Sequence, residues 1–267
     1  MSVDPRTGGI VALYGGRDYT KHYISNATRT DYQAGAAFKP IALASAMENG
    51  MPLRPALPGR LPEPLGPDPA LVKKTAVALG MDLDATGFTA RRQTVSLGLM
   101  GTSPLELAEV YATIGGGGRK VTPALVKSAR RGDERARLAD PFGGQAISPK
   151  DAESVTALQI TDSSNVLEPL PVGNDTPVAV KTAETSGTSD DRKAAWHIAY
   201  DSNLVTAVGV FGENAKTQKQ MPLENATTDG VGRAGAIWNM YMKTGGLDEP
   251  GPADSGRSGG AATAAAP

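Results

Sequence analysis

The sequence predicts an α+β domain in which helices flank an antiparallel sheet. Strand patterns stand at the start of the chain and again in its last third, helix patterns fill the middle, and one helix follows the last strand. Segregation of helices from strands, in place of strict alternation, is typical of this fold class. The chain has 267 residues, 40% of them hydrophobic, which suits one large domain or two small ones with a sizeable core.

Charge and composition exclude several classes of protein. The 27 basic and 28 acidic side chains give a net charge of −1, so nucleic acid is not an expected partner. The absence of cysteine excludes disulfides and a cysteine nucleophile. Only His22, expected at the surface, and His197, expected to be packed, supply imidazoles, and no carboxylate cluster has metal-ligand spacing. We therefore expect no metal and no cofactor. No signal peptide is visible, and no apolar run reaches the roughly 18 to 20 residues that span a bilayer.

Turn-forming residues delimit the elements of the first third of the chain. A strand is expected over residues 10–14 and a helix from about residue 38 to 48. Seven prolines between residues 52 and 69 exclude a helix or a central strand there, and they predict an exposed loop. A helix is expected again over residues 70–79, where Gly80 ends it.

Two helix starts are marked by caps, and the strands follow them. Ser103-Pro-Leu-Glu106 is a capping box, and Ser148-Pro-Lys-Asp151 repeats its start signal. Strands are expected over residues 178–181, 195–200 and 204–211, the last two paired antiparallel through a short turn. A final amphipathic helix is expected around residues 234–241, because its apolar residues share one face.

The predicted domain spans residues 1–246, and residues 247–267 form a disordered tail. Within residues 250–267, fifteen of eighteen are Gly, Ala, Pro or Ser, a composition that cannot build a packed core.

Short motifs in one fixed order carry a resemblance to a known family. They are Asp4-Pro-Arg-Thr-Gly8, Gly15-Gly-Arg-Asp-Tyr19, Asn26-Ala-Thr28, Gln33-Ala-Gly-Ala-Ala-Phe-Lys-Pro40, Ser96-Leu-Gly98, Ser103-Pro-Leu-Glu-Leu-Ala108, Ser186-Gly-Thr188 and Ala195-Trp196. Over nearly all of residues 2–244 the chain resembles the transpeptidase domain of class A penicillin-binding proteins. Its Ala/Gly/Pro-rich tail makes actinobacterial members look most similar. The resemblance implies the transpeptidase fold shared with β-lactamases, and a place in peptidoglycan synthesis outside the membrane.

The chemistry of that family depends on three motifs. A serine attacks the penultimate D-Ala carbonyl of a stem peptide and forms an acyl-enzyme, and a lysine three residues later deprotonates that serine. Positions i and i+3 share one helix face, so that amine and hydroxyl meet. A Ser-x-Asn element relays protons, and a Lys-Thr/Ser-Gly strand binds the substrate carboxylate.

The chain departs from the first two motifs. Ala36 stands where the family has its nucleophile, three residues before Lys39, which we interpret as the remnant of the active-site lysine. The Ser-x-Asn element should precede Gly80, but the proline-rich segment 52–69 occupies that interval and contains no such triplet. Ser163-Ser-Asn165 does spell it, in a later position that we interpret as a turn.

The third motif has two possible positions. Lys181-Thr-Ala183 would be Lys-Thr-Gly without the glycine, and Thr185-Ser186-Gly187-Thr188 would be Lys-Ser-Gly-Thr without the lysine. The distance to Trp196 favours the second, which places Thr185 at the lysine position. By resemblance, Thr185 to Thr188 are the substrate-binding residues.

These losses imply a pseudoenzyme that has the transpeptidase fold and no intact catalytic residue, only the remnant positions Ala36 and Lys39. Its partners by resemblance are a peptidoglycan stem peptide or a β-lactam, held without a covalent bond, and cell-wall proteins. One alternative is a functional D,D-transpeptidase with a mutated serine or misaligned motifs, in which Ser163 or Ser186 would act. Another is a structural or interaction domain without a ligand. The family carries a membrane anchor and a glycosyltransferase domain ahead of this domain, so a fragment of a longer protein is expected.

Overall fold

A computed structural model of the chain describes residues 1–18, 20, 23–50, 68–163, 183–189, 191–223 and 231–243. Within these ranges the strands are β1 (Ser2–Val3), β2 (Ile10–Ala12), β3 (Tyr32–Gln33), β4 (Gly101–Thr102), β5 (Arg119–Val121), β6 (Arg130–Arg131), β7 (Glu134–Arg135), β8 (Phe142–Gln145), β9 (Ala183–Thr188), β10 (Ala194–Tyr200) and β11 (Val205–Phe211). The helices are α1 (Lys39–Glu48), α2 (Pro69–Leu79), α3 (Arg92–Leu97), α4 (Pro104–Gly115), α5 (Pro149–Ser163) and α6 (Val231–Lys243), and the 3-10 turn Gly35–Phe38 leads into α1.

A five-stranded antiparallel sheet organises the domain, in the order β2-β1-β11-β10-β9. The long strands β10 and β11 pair over their whole length, from Ala194 opposite Phe211 to Tyr200 opposite Val205. Strand β9 continues the sheet on the other side of β10. The first strand of the chain therefore lies beside the last, and the predicted α+β class with an antiparallel sheet is confirmed.

Helices cover both faces of this sheet. Tyr111 of α4 packs against Tyr200 of β10, with ring centroids 5.4 Å apart. Trp238 of α6 packs against His197 of the same strand at 5.2 Å. Positions 197 and 200 are an odd number of residues apart, so their side chains leave opposite faces of the strand. The larger core lies on the α4 face, where α1, α2 and α5 join it.

Local sequence signals set most helix boundaries. The capping box at Ser103 is present, since its hydroxyl accepts a hydrogen bond from the Glu106 amide while the Glu106 carboxylate accepts one from the Ser103 amide. Asp68 caps α2, and Pro69 is the first residue of that helix. The extension of the proline-rich loop to Pro69 was therefore wrong, because proline fits the first helical position, where no amide donor is needed.

The structure corrects the interpretation of Ser163 and leaves other expectations untested. Helix α5 extends to Ser163, so that residue ends a helix and does not sit in a turn. His22, residues 51–67, the expected strand at 178–181 and the tail at 247–267 lie outside the described residues. In the part of the chain that is described, no helix has both the length and the apolar character needed to cross a membrane.

Candidate functional site

Ala36 lies in the 3-10 turn that leads into α1, and this turn is held from several sides. The Gly35 amide donates to the Gly98 carbonyl at 2.8 Å, and the Ala34 amide donates to the Met100 carbonyl at 2.9 Å. The buried Tyr111 hydroxyl donates to the Ala37 carbonyl at 2.8 Å. Backbone groups on both sides of Ala36 are thus satisfied by distant parts of the chain, which fixes the turn in place.

Strand β9 packs against this turn. Its residues alternate between the faces of the sheet, with Thr185 and Gly187 on the α4 face and Ser186 on the α6 face, opposite His197. A Cβ atom added to Gly187 would overlap the Ala36 methyl and would lie 3.6 Å from the Ala36 Cα. Only a residue without a side chain fits there.

The predicted substrate-binding residues therefore form one continuous strand beside Ala36. Thr185, in the predicted lysine position, lies on the same face as Gly187 and interacts with the Tyr111 phenol. Ser186 is exposed, and the other members of the set, Gly187 and Thr188, are partly buried. Sequence and structure agree on which residues are brought together, although their role in binding stays a prediction.

The Trp196 indole links β10 to the segment before Ala36 through a hydrogen bond. Its Nε1 donates to the Gln33 carbonyl at 2.9 Å, immediately before the turn that carries Ala36. Tyr111 and Trp196 are both fully buried. The sequence showed both as apolar residues at core positions, but it did not show that their polar atoms hold the turn.

Lys39 directly follows the turn that carries Ala36. It is the first residue of α1, and its side chain is exposed. Within the described ranges no residue accepts a hydrogen bond from its ammonium group or forms an ion pair with it. Lys39 follows Ala36 by three residues, and its role as the remnant of the active-site lysine stays a prediction.

Helix α2 packs directly against α1, next to the segment where the Ser-x-Asn element was sought. The Thr75 hydroxyl lies 3.2 Å from the Ser45 hydroxyl, and both helices contribute buried residues to the core. A cavity of about 350 Å³ opens on the outer side of α2, lined by Lys73, Lys74 and Val77 among others. None of its lining residues belongs to the region around Ala36.

Two titratable groups lie on the α6 face of the sheet, behind this region. Burial raises the pKa of Glu184 to about 7, and its Oε1 has no hydrogen-bond partner in the described part of the chain. Burial lowers the pKa of His197 to about 4, and its Nε2 is likewise without a partner there. His197 is therefore a packed imidazole, as predicted. Glu184 was missed, because a lone glutamate before a Thr-Ser-Gly motif gives no signal of burial.

Glu184 predicts a stability effect with a definite sign. Its folded-state pKa is raised, so stability is complete below the unfolded value and is lost as pH rises through about 7. For a half-buried group this loss is about 1–2 kcal/mol after screening by solvent. We expect Glu184→Gln to raise the free energy of unfolding by that amount at pH 8 and to change it little at pH 4, measured by urea denaturation. Equal effects at both pH values would contradict the assignment.

No group of three or more His, Asp or Glu residues in the described part of the chain is arranged to hold a metal ion. The region around Ala36 offers hydroxyl groups, backbone amides and one glycine that permits close approach, and no nucleophile at the position where the family attacks. Groups of this kind can form hydrogen bonds with a polar ligand.

Comparison with known proteins agrees with the fold and the order of motifs. The family model described as the penicillin binding protein transpeptidase domain matches residues 1–53 and 78–229. The interval it leaves unmatched contains most of the proline-rich segment, where the sequence lacks a Ser-x-Asn element.

Curated relatives and solved structures belong to the same family. Penicillin-binding protein 1A of Neisseria lactamica is 24% identical over 91% of this chain and 35% of that protein. Penicillin-binding protein 2D of Bacillus subtilis strain 168 is 24% identical over 93% of this chain and 41% of that protein. The penicillin-binding protein PonA1 from Mycobacterium tuberculosis superposes with a TM-score of 0.68 at 22% identity, covering 100% of this chain and 84% of that one.

The chain thus spans 35% to 41% of the length of these curated relatives. The family model covers far more than half of the chain, the fold agrees, and the relatives and structures include class A proteins. The resemblance stated from the sequence motifs is confirmed. The chain belongs to the transpeptidase domain family of the penicillin-binding proteins, on its class A branch.

Proposed function

We propose that this chain is a transpeptidase domain of cell-wall synthesis that no longer forms an acyl-enzyme and holds its ligand without a covalent bond. The observation that carries this proposal is Ala36, which presents a methyl group where the family has a serine hydroxyl. Without an oxygen atom at that position, the covalent step of the family has no nucleophile.

Two further losses support the proposal independently of Ala36. Lys39 is exposed and has no partner in the described part of the chain, so no described residue orients it as a general base. Thr185 occupies the predicted position of the strand lysine, so the cation that would hold a substrate carboxylate is replaced by a hydroxyl. A single exchange of serine for alanine would explain one loss and not the other two.

The proposed ligand is the D-Ala-D-Ala end of a stem peptide, or a β-lactam that resembles it. Solved relatives include PonA1 of Mycobacterium tuberculosis in complex with penicillin V. In this chain the Thr185 hydroxyl lies on the same face of β9 as Gly187, which contacts Ala36, and a hydroxyl can donate to a carboxylate. Neutral donors bind a carboxylate more weakly than a lysine does, so we expect a dissociation constant in the millimolar range.

The site of action that we infer lies outside the membrane, in peptidoglycan synthesis, together with other cell-wall proteins. This inference rests on the family, and so does the expectation that the chain is part of a longer, membrane-anchored protein. Relatives come from Neisseria, Bacillus and Mycobacterium. The particular likeness to actinobacterial members stays a prediction.

Calorimetric titration with a synthetic stem peptide that ends in D-Ala-D-Ala tests the binding function. We expect weak heat of binding at millimolar peptide, reduced by Thr185→Val, which removes the hydroxyl on the face of Gly187, and unchanged by Ser154→Ala, which removes a partly buried hydroxyl on α5. A stem peptide that ends in L-Ala-L-Ala serves as the stereochemical control. The absence of any heat would favour the alternative of a structural domain without a ligand.

Restoring the serine tests whether the rest of the machinery persists. We expect Ala36→Ser to give no covalent band with a fluorescent penicillin after denaturing electrophoresis, because neither the base nor the strand cation is in place. Circular dichroism would confirm that the variant is folded, and an active class A penicillin-binding protein would confirm that the label is reactive. A strong band in the variant would show that the active site is intact apart from one atom.

The functional-enzyme alternative makes the opposite prediction for the unaltered chain. It requires Ser163 or Ser186 to be acylated, yet Ser163 ends α5 and Ser186 lies on the sheet face opposite to Gly187. A labelled band in the unaltered protein that is lost in Ser186→Ala would establish that alternative.

A further inference from the structure

The sheet face on which α6 packs contains two polar atoms without partners, and one of them belongs to His197. Helix α6 packs against β9, β10 and β11. The Trp238 ring lies over the His197 imidazole, with centroids 5.2 Å apart, and a Cβ atom added to Gly235 would lie 3.7 Å from His197 Nδ1. His197 is 7% exposed, and its Nε2 has no hydrogen-bond partner in the described part of the chain. The helix therefore covers an imidazole nitrogen that it does not satisfy.

Glu184 contributes the second atom on the same face of the sheet. Glu184 lies opposite Ala199, and Ser186 lies opposite His197, so Glu184 and His197 are diagonal neighbours on β9 and β10. The Glu184 Oε1 is buried and has no hydrogen-bond partner among the described residues. A helix usually packs on apolar side chains, whereas this surface contains a carboxyl group and an imidazole. The packing of α6 is therefore sensitive to a charge on either group.

The structure describes no charged group that offsets these two. The cations of α6, Arg233 and Lys243, are exposed, and Tyr241 is its other titratable residue. Helix α5 approaches Glu184 through the neutral side chain of Gln159, whose amide donates to the Glu184 carbonyl at 3.5 Å. On β11 the residues of this face carry no titratable group; they are Thr206, Val208 and Val210.

Burial alone sets the pH range in which both groups are neutral. It raises the pKa of Glu184 to about 7 and lowers the pKa of His197 to about 4, and no charge of another residue contributes to either shift. Between these two values α6 covers two neutral groups. Outside them it must cover either a carboxylate or an imidazolium, and both are costly to bury without a partner.

Few contacts hold α6 on the sheet. Within residues 232–243 only Ala234 and Trp238 are fully buried, whereas Ile237 and Met240 are 49% and 69% exposed. Two glycines in the first half of the helix lower its helix propensity, so its helical form depends on packing. A helix that buries one large side chain belongs to the least stable parts of a fold. A charge beneath α6 can therefore detach it while the rest of the fold stays intact.

We propose that α6 is a pH-dependent cover of the sheet, which stays packed while Glu184 and His197 are both neutral and detaches when either becomes charged. The two transitions have opposite signs. The contribution of Glu184 is lost as pH rises through about 7, and that of His197 is lost as pH falls through about 4. The proposal is independent of ligand binding, since both groups lie on the sheet face opposite to that of Thr185 and Gly187.

Hydrogen–deuterium exchange of the full chain at pH 3.5, 5.5 and 8.5, followed by mass spectrometry, tests the proposal. Protection factors, corrected for the intrinsic exchange rate at each pH, measure how often each helix opens. We expect the protection of α6 to be highest at pH 5.5 and to fall at least tenfold at both other pH values. At pH 8.5 it should also be at least tenfold lower than the protection of α4, which packs on the opposite face. Equal protection of α4 and α6 would show that the fold opens as one unit and would overturn the proposal.

Three variants assign the two transitions to their groups. Glu184→Gln should remove the fall at pH 8.5 and keep the fall at pH 3.5, and His197→Phe should do the reverse. Glu153→Gln removes an exposed carboxylate on α5 and should stay within threefold of the unaltered protein at every pH. A fall that persists in the corresponding variant, or that is lost in the Glu153 control, would contradict the proposal.

A spectroscopic measurement on the unaltered chain decides the question even where a variant fails to fold. The chain has two tryptophans, and the difference between its emission and that of Trp238→Phe reports on Trp238. We expect this emission to lie at the shortest wavelength near pH 5.5 and to shift to longer wavelength at pH 8.5 and at pH 3.5, because Trp238 enters water when α6 detaches. An emission wavelength that is the same at all three pH values would overturn the proposal.

Discussion

Replacement of Gly35 by alanine is expected to lower the free energy of unfolding by about 3 kcal/mol or more. Gly35 has a φ of 55°, a conformation that costs an alanine about 1 kcal/mol. The added Cβ would also overlap the Thr188 carbonyl oxygen and lie 2.6 Å from the Ser189 Cα. Both are backbone atoms of the strand end, so neither can move aside as a flexible side chain does.

The control for this prediction has the same backbone conformation without the contact. Gly132 has a φ of 62°, and a Cβ there would meet nothing within 4 Å. Gly132→Ala should therefore cost only the conformational part, about 1 kcal/mol. Guanidinium denaturation of both variants measures the difference. Equal losses of unfolding free energy in the two variants would show that the end of β9 does not pack closely against the turn that carries Ala36.

Lowering the pH is expected to reduce the free energy of unfolding, because the buried imidazole of His197 becomes protonated. Burial lowers the pKa of His197 to about 4, so its contribution is complete above the unfolded value near 6.5 and is lost as pH falls through 4. The loss over this window is on the order of 3 kcal/mol. Among the described residues, Trp238 and Gly235 of α6, Ser186 of β9 and Val208 of β11 are neighbours of His197, and the titratable Glu184 lies two residues from Ser186 on the same face of the sheet.

The variant His197→Phe isolates this contribution from other acid effects. Paired carboxylates such as Asp31 and Asp191, whose pKa values are lowered, also lose their partners in acid, but in both proteins alike. Urea denaturation at pH 6.5 and pH 4 should show a smaller loss for the variant than for the unaltered protein. The same loss in both would mean that His197 is not held neutral beneath α6.

Local signals were sufficient for the capped helices and for the longest strand pair, whereas α3 was not predicted and α6 begins at Val231, before the expected start near residue 234. The caps at Ser103 and Ser148 and the proline at position 69 act within one helical turn, so the sequence alone locates the helix starts to within a residue. The short turn at residues 201–203 specifies the pairing of β10 with β11 for the same reason. The pairing of β9 with β10 across residues 189–193 was not predicted, because this short connection contains no glycine to mark a hairpin turn.

The candidate site could be predicted in its membership and not in its geometry. The order of motifs along the chain predicts one site of Ala36, Lys39 and the strand from Thr185 to Thr188, and the structure brings that strand against Ala36. The contact between Gly35 and Gly98, and that between Gly187 and Ala36, join residues far apart in sequence that have no side chain to mark them. The exposure of Lys39 also depends on how α1 is set against its neighbours, which spacing along one helix cannot show.

Intact-protein mass spectrometry after incubation with excess penicillin G tests the central claim most directly, because it detects a covalent bond to any side chain. The proposal predicts that the mass of the unaltered chain stays the same after denaturation, while an active class A protein treated in parallel gains the mass of the antibiotic. A gain of that mass on this chain, stable to denaturation and located on any serine, would contradict it.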